Sequence, residues 1–389
     1  VTQCTVVIGG DIRPGGNNLE AFEAGDAARV FGDVVPVFEA ADYALANLEC
    51  PLSTQAKVKV TAGVSLAAPP GCAAAIKNAG IKALNLANNH IMDRGPEGLR
   101  ETLEACGAVG LDFVGAGRNA REARAPLVRQ LGGVRVAFAG LAEHEYSIAG
   151  RESWGANPLD PIEFARFTRA RRREFDHLVV LVHGGAGLYP LPSPRLQKTC
   201  RFLVEEGASA VICQHSHCVA AYERYEGAPI VYGQGNLVFD WPVKARDWRQ
   251  GFLVELVLGE PRGEVAFRIV PYRQSDGQVG VQRMTAAEEE RLRGELDEYC
   301  GVVQDEREIE RRWVEFCLSR KDTYLSYLRG HGRLLEKINR RLRFAEHLFS
   351  ARAITVLLHM LRCESENEIA QTILEVLYRR KQGDGRLDG

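Results

Sequence analysis

From residue 4 to about 280 the chain alternates short apolar runs with stretches whose apolar positions recur at three- and four-residue spacing. The short runs are CTVVIGG (4–10), YALANLE (43–49), KALNLAN (82–88), VRVAFAGL (134–141), HLVVLVHGG (177–185) and AVICQH (210–215). Their length and β-branched content predict strands. Helices between them carry their own punctuation. Pro96 lies in the first turn of PEGLRETLEACG, which Gly107 closes. Asp160-Pro161-Ile162-Glu163 reads as an N-cap, a first-turn proline and a capping-box acid, and Ser193-Pro194 opens a helix ending near Gly207. Such alternation predicts α/β layers. IVYGQGNLVF (230–239), GFLVELVLG (251–259) and VAFRIVPY (265–272) have no helix between them and predict an antiparallel meander.

The pattern changes at RQSDGQVGVQ (273–282). Thr285 and Glu288 form a second capping-box pair, and from there to about 380 the spacing is helical, with Tyr324, Tyr327, Leu328, Leu334, Leu335 and Ile338 marking an apolar face. The division expected is an α/β domain over 1–280, an α-helical accessory region over 285–381 and a disordered tail at 382–389. The helical region would serve as an accessory bundle, a homodimer contact or a binding module for a protein partner.

Composition narrows the class. Of 389 residues 46% are hydrophobic and 26% charged, the balance of a globular protein long enough for two domains. A formal net charge of −2 predicts no general affinity for nucleic acid or anionic membrane. No run approaches the ~18 apolar residues of a membrane span. The opening VTQCTVVIGGD has no basic region followed by a long apolar stretch, so a cytoplasmic setting is expected. The chain does not begin with Met; an anchor upstream would make the setting membrane-associated or extracytoplasmic. Ten cysteines without a CxxC pair predict reduced thiols rather than structural zinc.

Candidate chemistry gathers at strand ends. IGGD ends in Asp11, LANLE in Glu49, LANNH in Asn89 and His90, VLVHGG holds His183, and VICQHSH holds His215 and His217. Polar groups just beyond apolar strands project at the carboxyl edge of a sheet, where α/β folds bind ligands. Carboxylate, amide and imidazole donors together suit Mn, Fe or Zn. Each residue also has a plain alternative as a turn, a cap, a solvated strand end or a core histidine. His215 and His217, two apart, share one face of an extended segment, and Cys213 shares that parity, so a thiolate ligand stays open beside a buried-strand role. Glu143, His144 and Glu145 in EHEYS form either a substrate contact or a solvated loop. Arg166, Arg169 and Arg173 lie on one helical face, either solvated beside Glu neighbours or a track for an anionic polymer. No GxGxxG, GxxxxGK[ST] or GxSxG pattern is present.

GGDIR, NLECPLS, ANNHIMDRG, VHGGAG and QHSHCVAAYERYEGAPIVYGQGNLVFD resemble, in order and spacing, the bacterial capsule-synthesis CapA-type proteins. These are the poly-γ-glutamate synthesis relatives within the calcineurin-like metallophosphoesterase superfamily, and the resemblance spans roughly 4–245. It implies a four-layer α/β/β/α sandwich with a two-metal centre between the sheet ends, here followed by the α-helical C-terminal region. It implies Asp11, Glu49 and His217 on one metal, Glu49 bridging, and Asn89, His183 and His215 on the other. His90 becomes the catalytic histidine, with Asp93 as the nearest carboxylate to orient it. The superfamily opens with Asp-x-His, whereas this chain has Asp11-Ile12-Arg13. Guanidinium does not ligate metals, so Arg13 would clamp a phosphate oxygen or sit in a peripheral ion pair. Asn236 and Asp240 fall near the last block, Asn236 as a substrate-side residue. The activity implied is dimetal hydrolysis of a phosphoester, with a phosphorylated small molecule or glycan intermediate as substrate. The alternative is a non-hydrolytic accessory role in making an anionic polymer such as poly-γ-glutamate.

Overall fold

Parity within the first strand sets the layers. In Cys4–Arg13, Val6 and Ile8 join one apolar cluster and Val7 another, and an irregularity between Gly9 and Asp11 puts Ile12 on the side of Val7. A strand buried on both faces needs something packed on each side. The computed structural model describes residues 3–56, 64–242, 245–261, 263–275, 278–320, 324 and 350–381. Its strands in chain order are β1 (Cys4–Arg13), β2 (Tyr43–Leu48), β3 (Ala83–Asn85), β4 (Asp112–Val114), β5 (Ala116–Gly117), β6 (Leu127–Leu131), β7 (Val134–Ala142) and β8 (Gly155–Ala156). They continue with β9 (His177–His183), β10 (Ala210–Gln214), β11 (Tyr222–Tyr225), β12 (Ala228–Val231), β13 (Asn236–Phe239), β14 (Gln250–Leu258), β15 (Ala266–Gln274) and β16 (Val281–Arg283).

Two mixed sheets result. The first runs β16-β15-β14-β1-β2-β3-β4, with β13 also pairing β1, and the second runs β11-β12-β10-β9-β7-β6. In each the centre is parallel (β1 with β2, β2 with β3; β7 with β9, β9 with β10); antiparallel strands lie at both edges of the second sheet and at one edge of the first, whose other edge, β4, is parallel to β3. Val6, Ile8, Leu45, Phe138, Val179, Leu181, Ile212, Phe252 and Val254 pack between the sheets. Helices cover the two outer faces, completing the four-layer α/β/β/α sandwich expected from the sequence.

The meander is where the expectation departs from the structure. GFLVELVLG and VAFRIVPY do pair as antiparallel β14 and β15, but IVYGQGNLVF divides between the sheets. Its first half is β12, parallel to β10; its second is β13, parallel to β1. Gly235 makes the crossing possible: its φ is +72°, and a Cβ there would lie 2.3 Å from the Gln250 carbonyl oxygen. Gly10 faces it, since a Cβ on Gly10 would meet the Gly235 carbonyl at 2.1 Å. Only hydrogen fits at both places.

The helical caps follow the local sequence. Asp160 accepts from the Ile162 and Glu163 amides, Ser193 from Leu196, and Thr285 with Glu288 closes a capping box. Glu163 does not close one with Asp160; its carboxylate takes Arg124 and Arg166 instead.

The shift near residue 280 marks a change of element type and not a second core. Leu292 and Leu296 of the helix Ala286–Val302 join the cluster between the sheets. Ile309, Trp313, Cys317, Tyr324, Met360, Ile369 and Ile373 pack with Leu196, Leu203 and Val211 on the outer face of the second sheet. The helices therefore form part of the fourth layer, so the division at 280–285 does not isolate a unit with its own interior. Tyr327, Leu328, Leu334, Leu335, Ile338 and the tail 382–389 lie outside the described residues. Leu296→Ala is expected to cost about 2–5 kcal/mol and to shift a single cooperative denaturation midpoint for the whole chain. A separate transition for the helices, seen by circular dichroism against denaturant, would contradict the shared core.

Candidate metal centre

Register brings the polar strand ends to one level. Across the first sheet Asp11 stands opposite Asn47 on β2 and Asn236 on β13, and Asn47 opposite Asn85 on β3. Across the second, His183 on β9 stands opposite Gln214 on β10. Glu49 follows β2 by one residue, its amide donating to the Ile12 carbonyl at 2.9 Å. All these strands run the same way, so their carboxyl ends meet at one edge of the sandwich.

The segment after β3 turns back towards that edge. Asn88 donates to the Leu48 carbonyl at 2.8 Å and accepts from the His90 amide at 3.1 Å. This sets Asn89 Oδ1 3.0 Å from His183 Nε2. His90 Nδ1 lies 2.7 Å from Asp93 Oδ2, and Asp93 is fully buried and also accepts from the Leu66 amide at 2.6 Å.

The two histidines of QHSHC converge for a reason other than strand parity. β10 ends at Gln214, and His215 and His217 have φ of 98° and 54°. A non-glycine residue in that region costs about 1–3 kcal/mol and persists only where its surroundings over-determine it. Here the His215 amide donates to Asp11 Oδ2 at 3.2 Å and the Leu188 amide to the Ser216 carbonyl at 2.8 Å. The left-handed turns, not an extended face, aim both rings at Glu49.

Donor atoms crowd around one carboxylate. Glu49 Oε1 is 3.6 Å from His183 Nε2 and 3.6 Å from His217 Nε2. His183 Nε2 is 3.0 Å from His215 Nδ1, and Asp11 Oδ2 is 3.6 Å from His217 Nδ1. Ligand atoms each about 2.0–2.2 Å from one cation stand about this far apart. Glu49, His215 and His217 all offer atoms within 4.8 Å of one another. Both Glu49 oxygens are buried, and neither has a hydrogen-bond partner among the described residues. Burial, reinforced by Asp11, Glu145 and Asp93, pushes Glu49 well above the usual carboxylate range, and burial pushes Asp11 up to about 6. Burial also holds His183 well below its ordinary value, His215 at about 3 and His217 at about 4, so all three rings are neutral near pH 7. Neutral imidazoles around under-satisfied carboxylates are the donor set a divalent cation requires.

These distances frame the comparison with known proteins. Residues 5–241 match the family model described as "Bacterial capsule synthesis protein PGA_cap". The chain belongs to that family. It is 31% identical over 245 residues to the "Capsule biosynthesis protein CapA" of Bacillus anthracis, a match covering 61% of this chain and 60% of that protein. It is also 31% identical over 235 residues to the "PGA biosynthesis protein CapA" of Bacillus subtilis, covering 59% and 62%. The "Probable polyglutamine synthesis accessory protein" of Mycobacterium tuberculosis is 29% identical, covering 54% and 60%. The chain thus spans about three fifths of the length of the curated relatives it matches. Among solved structures, Haemophilus influenzae NAD nucleotidase superposes at a TM-score of 0.41 with 11% identity, covering 76% of this chain and 56% of that one. A likeness of that size carries no functional argument, and the layer order rests on the sheet topology. No helix among the described residues is long and apolar enough to cross a membrane.

Several residues of this family member occupy positions other than those expected. Asn236 is fully buried, with Oδ1 accepting from His217 Nδ1 at 2.9 Å and Nδ2 donating to the Trp248 carbonyl at 3.2 Å. Both ends of its amide are engaged, so it orients His217 rather than contacting substrate. Arg13 lies over Trp241, 5.2 Å from the ring centroid, and is not among the described residues that line the cavity. Cys213 Sγ faces Cys200 Sγ at 3.6 Å within the outer cluster of the second sheet, so it is no metal ligand. The EHEYS segment is not a solvated loop: Glu143 is buried and paired with Arg195, His144 with Glu364, and Glu145 accepts from Asn89 Nδ2 at 3.4 Å. Arg166 and Arg169 are committed to Glu163 and Glu206, which favours the solvated face over a polymer track. The sequence offered no signal for Asn47, whose Nδ2 donates to Asp11 Oδ1 at 2.8 Å; only register across the sheet reveals it.

Removing the support behind His217 by Asn236→Ala is expected to weaken metal affinity about 10–100-fold, measured by chelator competition. Protons compete with a cation for Asp11 and Glu49, whose folded values lie high, while the histidines stay neutral until about pH 4. Affinity is therefore expected to fall as pH drops through about 6, by about tenfold per unit for each proton displaced. A flat profile between pH 7.5 and 5.5 would contradict the carboxylate assignment.

Proposed function

We propose that this chain is a metal-dependent hydrolase of phosphoesters, acting on a phosphorylated small molecule or glycan intermediate in capsule or related polymer synthesis. The observation that carries it is Glu49: a buried carboxylate without donors, 3.6 Å from two neutral imidazoles, beside a second buried carboxylate. Asp11, Glu49 and His217 would hold one cation, and Glu49, Asn89, His183 and His215 a second, of the Mn, Fe or Zn class. Such a pair supplies Lewis acidity towards a phosphoryl oxygen and towards water.

The chain's own residues provide the rest. His90 lines a cavity of about 260 Å³ together with His215 and His217. Its Nδ1 is held by Asp93, which leaves Nε2 to carry a proton to the leaving oxygen. Trp248 packs 4.6 Å from the His217 ring and, with Phe239 at 5.3 Å, excludes water from that side.

A second reading draws on the relatives' names, which place them in capsule and polymer synthesis and call one an accessory protein. In it the same centre binds a ligand without turnover. Generic aryl phosphate with Mn²⁺ separates the two. The hydrolase reading expects turnover, with His90→Ala lowering kcat by about 10²–10⁴-fold while metal content stays unchanged, and Asp93→Asn losing less. No turnover by metal-loaded wild type would favour the accessory reading.

A further inference from the structure

One part of the cavity wall comes from outside the matched family residues. The helices Ala351–Arg362 and Glu364–Lys381 bring His359 and Glu366 into the same cavity as His90, His215 and His217. They are clasped there at several points. Tyr146 donates to the Thr355 carbonyl at 2.9 Å, its ring stacks on His359 with centroids 5.4 Å apart and planes 8° apart, and Glu368 binds both Ser193 and Arg195. His359 Nδ1 also lies 3.8 Å from Glu145, whose carboxylate reaches Asn89. The family match stops at residue 241, so this wall belongs to the part of the chain the match does not describe.

Its chemistry is selective. Glu366, one of whose oxygens accepts from the Tyr324 hydroxyl, lines the cavity together with Glu145, and carboxylate oxygens pair with hydroxyl donors. His359 can donate to a hydroxyl oxygen. Trp241, held by Arg13 over its ring, presents a flat apolar surface to the same space. A volume of about 260 Å³ is enough for one ring beside a phosphoryl group.

We propose that the C-terminal helices complete a leaving-group subsite for an uncharged, hydroxyl-bearing ring, so that the substrate is a sugar monophosphate and His359 and Glu366 determine specificity. This rests on the phosphoester reading, but its test does not need turnover. Metal-loaded full-length protein is titrated calorimetrically with the methylene-phosphonate analogue of a hexose phosphate and, separately, with methylphosphonate. The hexose analogue is expected to bind at least about tenfold more tightly, or 1.4 kcal/mol. His359→Ala and Glu366→Gln should each remove most of that margin while leaving metal content and methylphosphonate binding unchanged. Glu366→Gln keeps the side-chain shape, so it reports even if His359→Ala disturbs the helix. Equal affinities, absence of binding, a margin that survives both variants, or tighter binding of a nucleoside or carboxylated phosphonate would each overturn the proposal. Aryl phosphate turnover by the same preparation judges the hydrolase reading separately.

Discussion

The constraint on which the structure turns is a pair of carboxylates, Asp11 and Glu49, taken out of water among neutral imidazoles, amides and the further carboxyl groups of Glu145 and Asp93. Burying charge without a counterion is expensive, and a folded chain meets that cost by protonation or by a cation. Protonation is what the raised values of both carboxyls express. Two left-handed histidines beside them add backbone strain that the hydrogen bond to Asp11 helps sustain. Nothing about packing alone calls for this concentration of cost at one edge; binding a cation does.

Everything nearby is arranged to hold the donors still. Parallel pairing aligns Asn236, Asp11, Asn47 and Asn85 across one sheet and His183 with Gln214 across the other. The amides between them lock orientation: Asn47 on Asp11, Asn236 on His217, Asn88 on the turn that carries Asn89 and His90. Packing between the sheets leaves the centre little freedom to relax. The Asp93–His90 pair sits just outside this set, and both residues line the cavity.

The C-terminal helices change the character of the site. They share apolar clusters with the α/β layers and so do not move as a free module. His144 is clasped by Glu364, which raises its value above the ordinary imidazole range. That pair is part of a polar seam, with Arg195, Glu143 and Glu368, that fastens the helices to the loop after β7. Function and stability thus meet in the same contacts.

Much of the donor set was legible in the chain. Asp11, Glu49, Asn89, His183, His215 and His217 each follow or end an apolar strand, and strand polarity alone sends such residues towards one edge. Local capping chemistry at Asp160, Ser193 and Thr285 was equally readable, because it involves neighbours within three residues. What the chain could not disclose depends on contacts between distant segments. Whether IVYGQGNLVF stays in one sheet or crosses between two turns on a close backbone approach at Gly10 and Gly235. The service of Asn236 to His217, the withdrawal of Cys213 into an outer cluster and the arrival of His359 at the cavity are likewise set by register and helix docking. Periodicity reports which face of an element is buried; it carries no information on which partner buries it. That choice belongs to the tertiary structure.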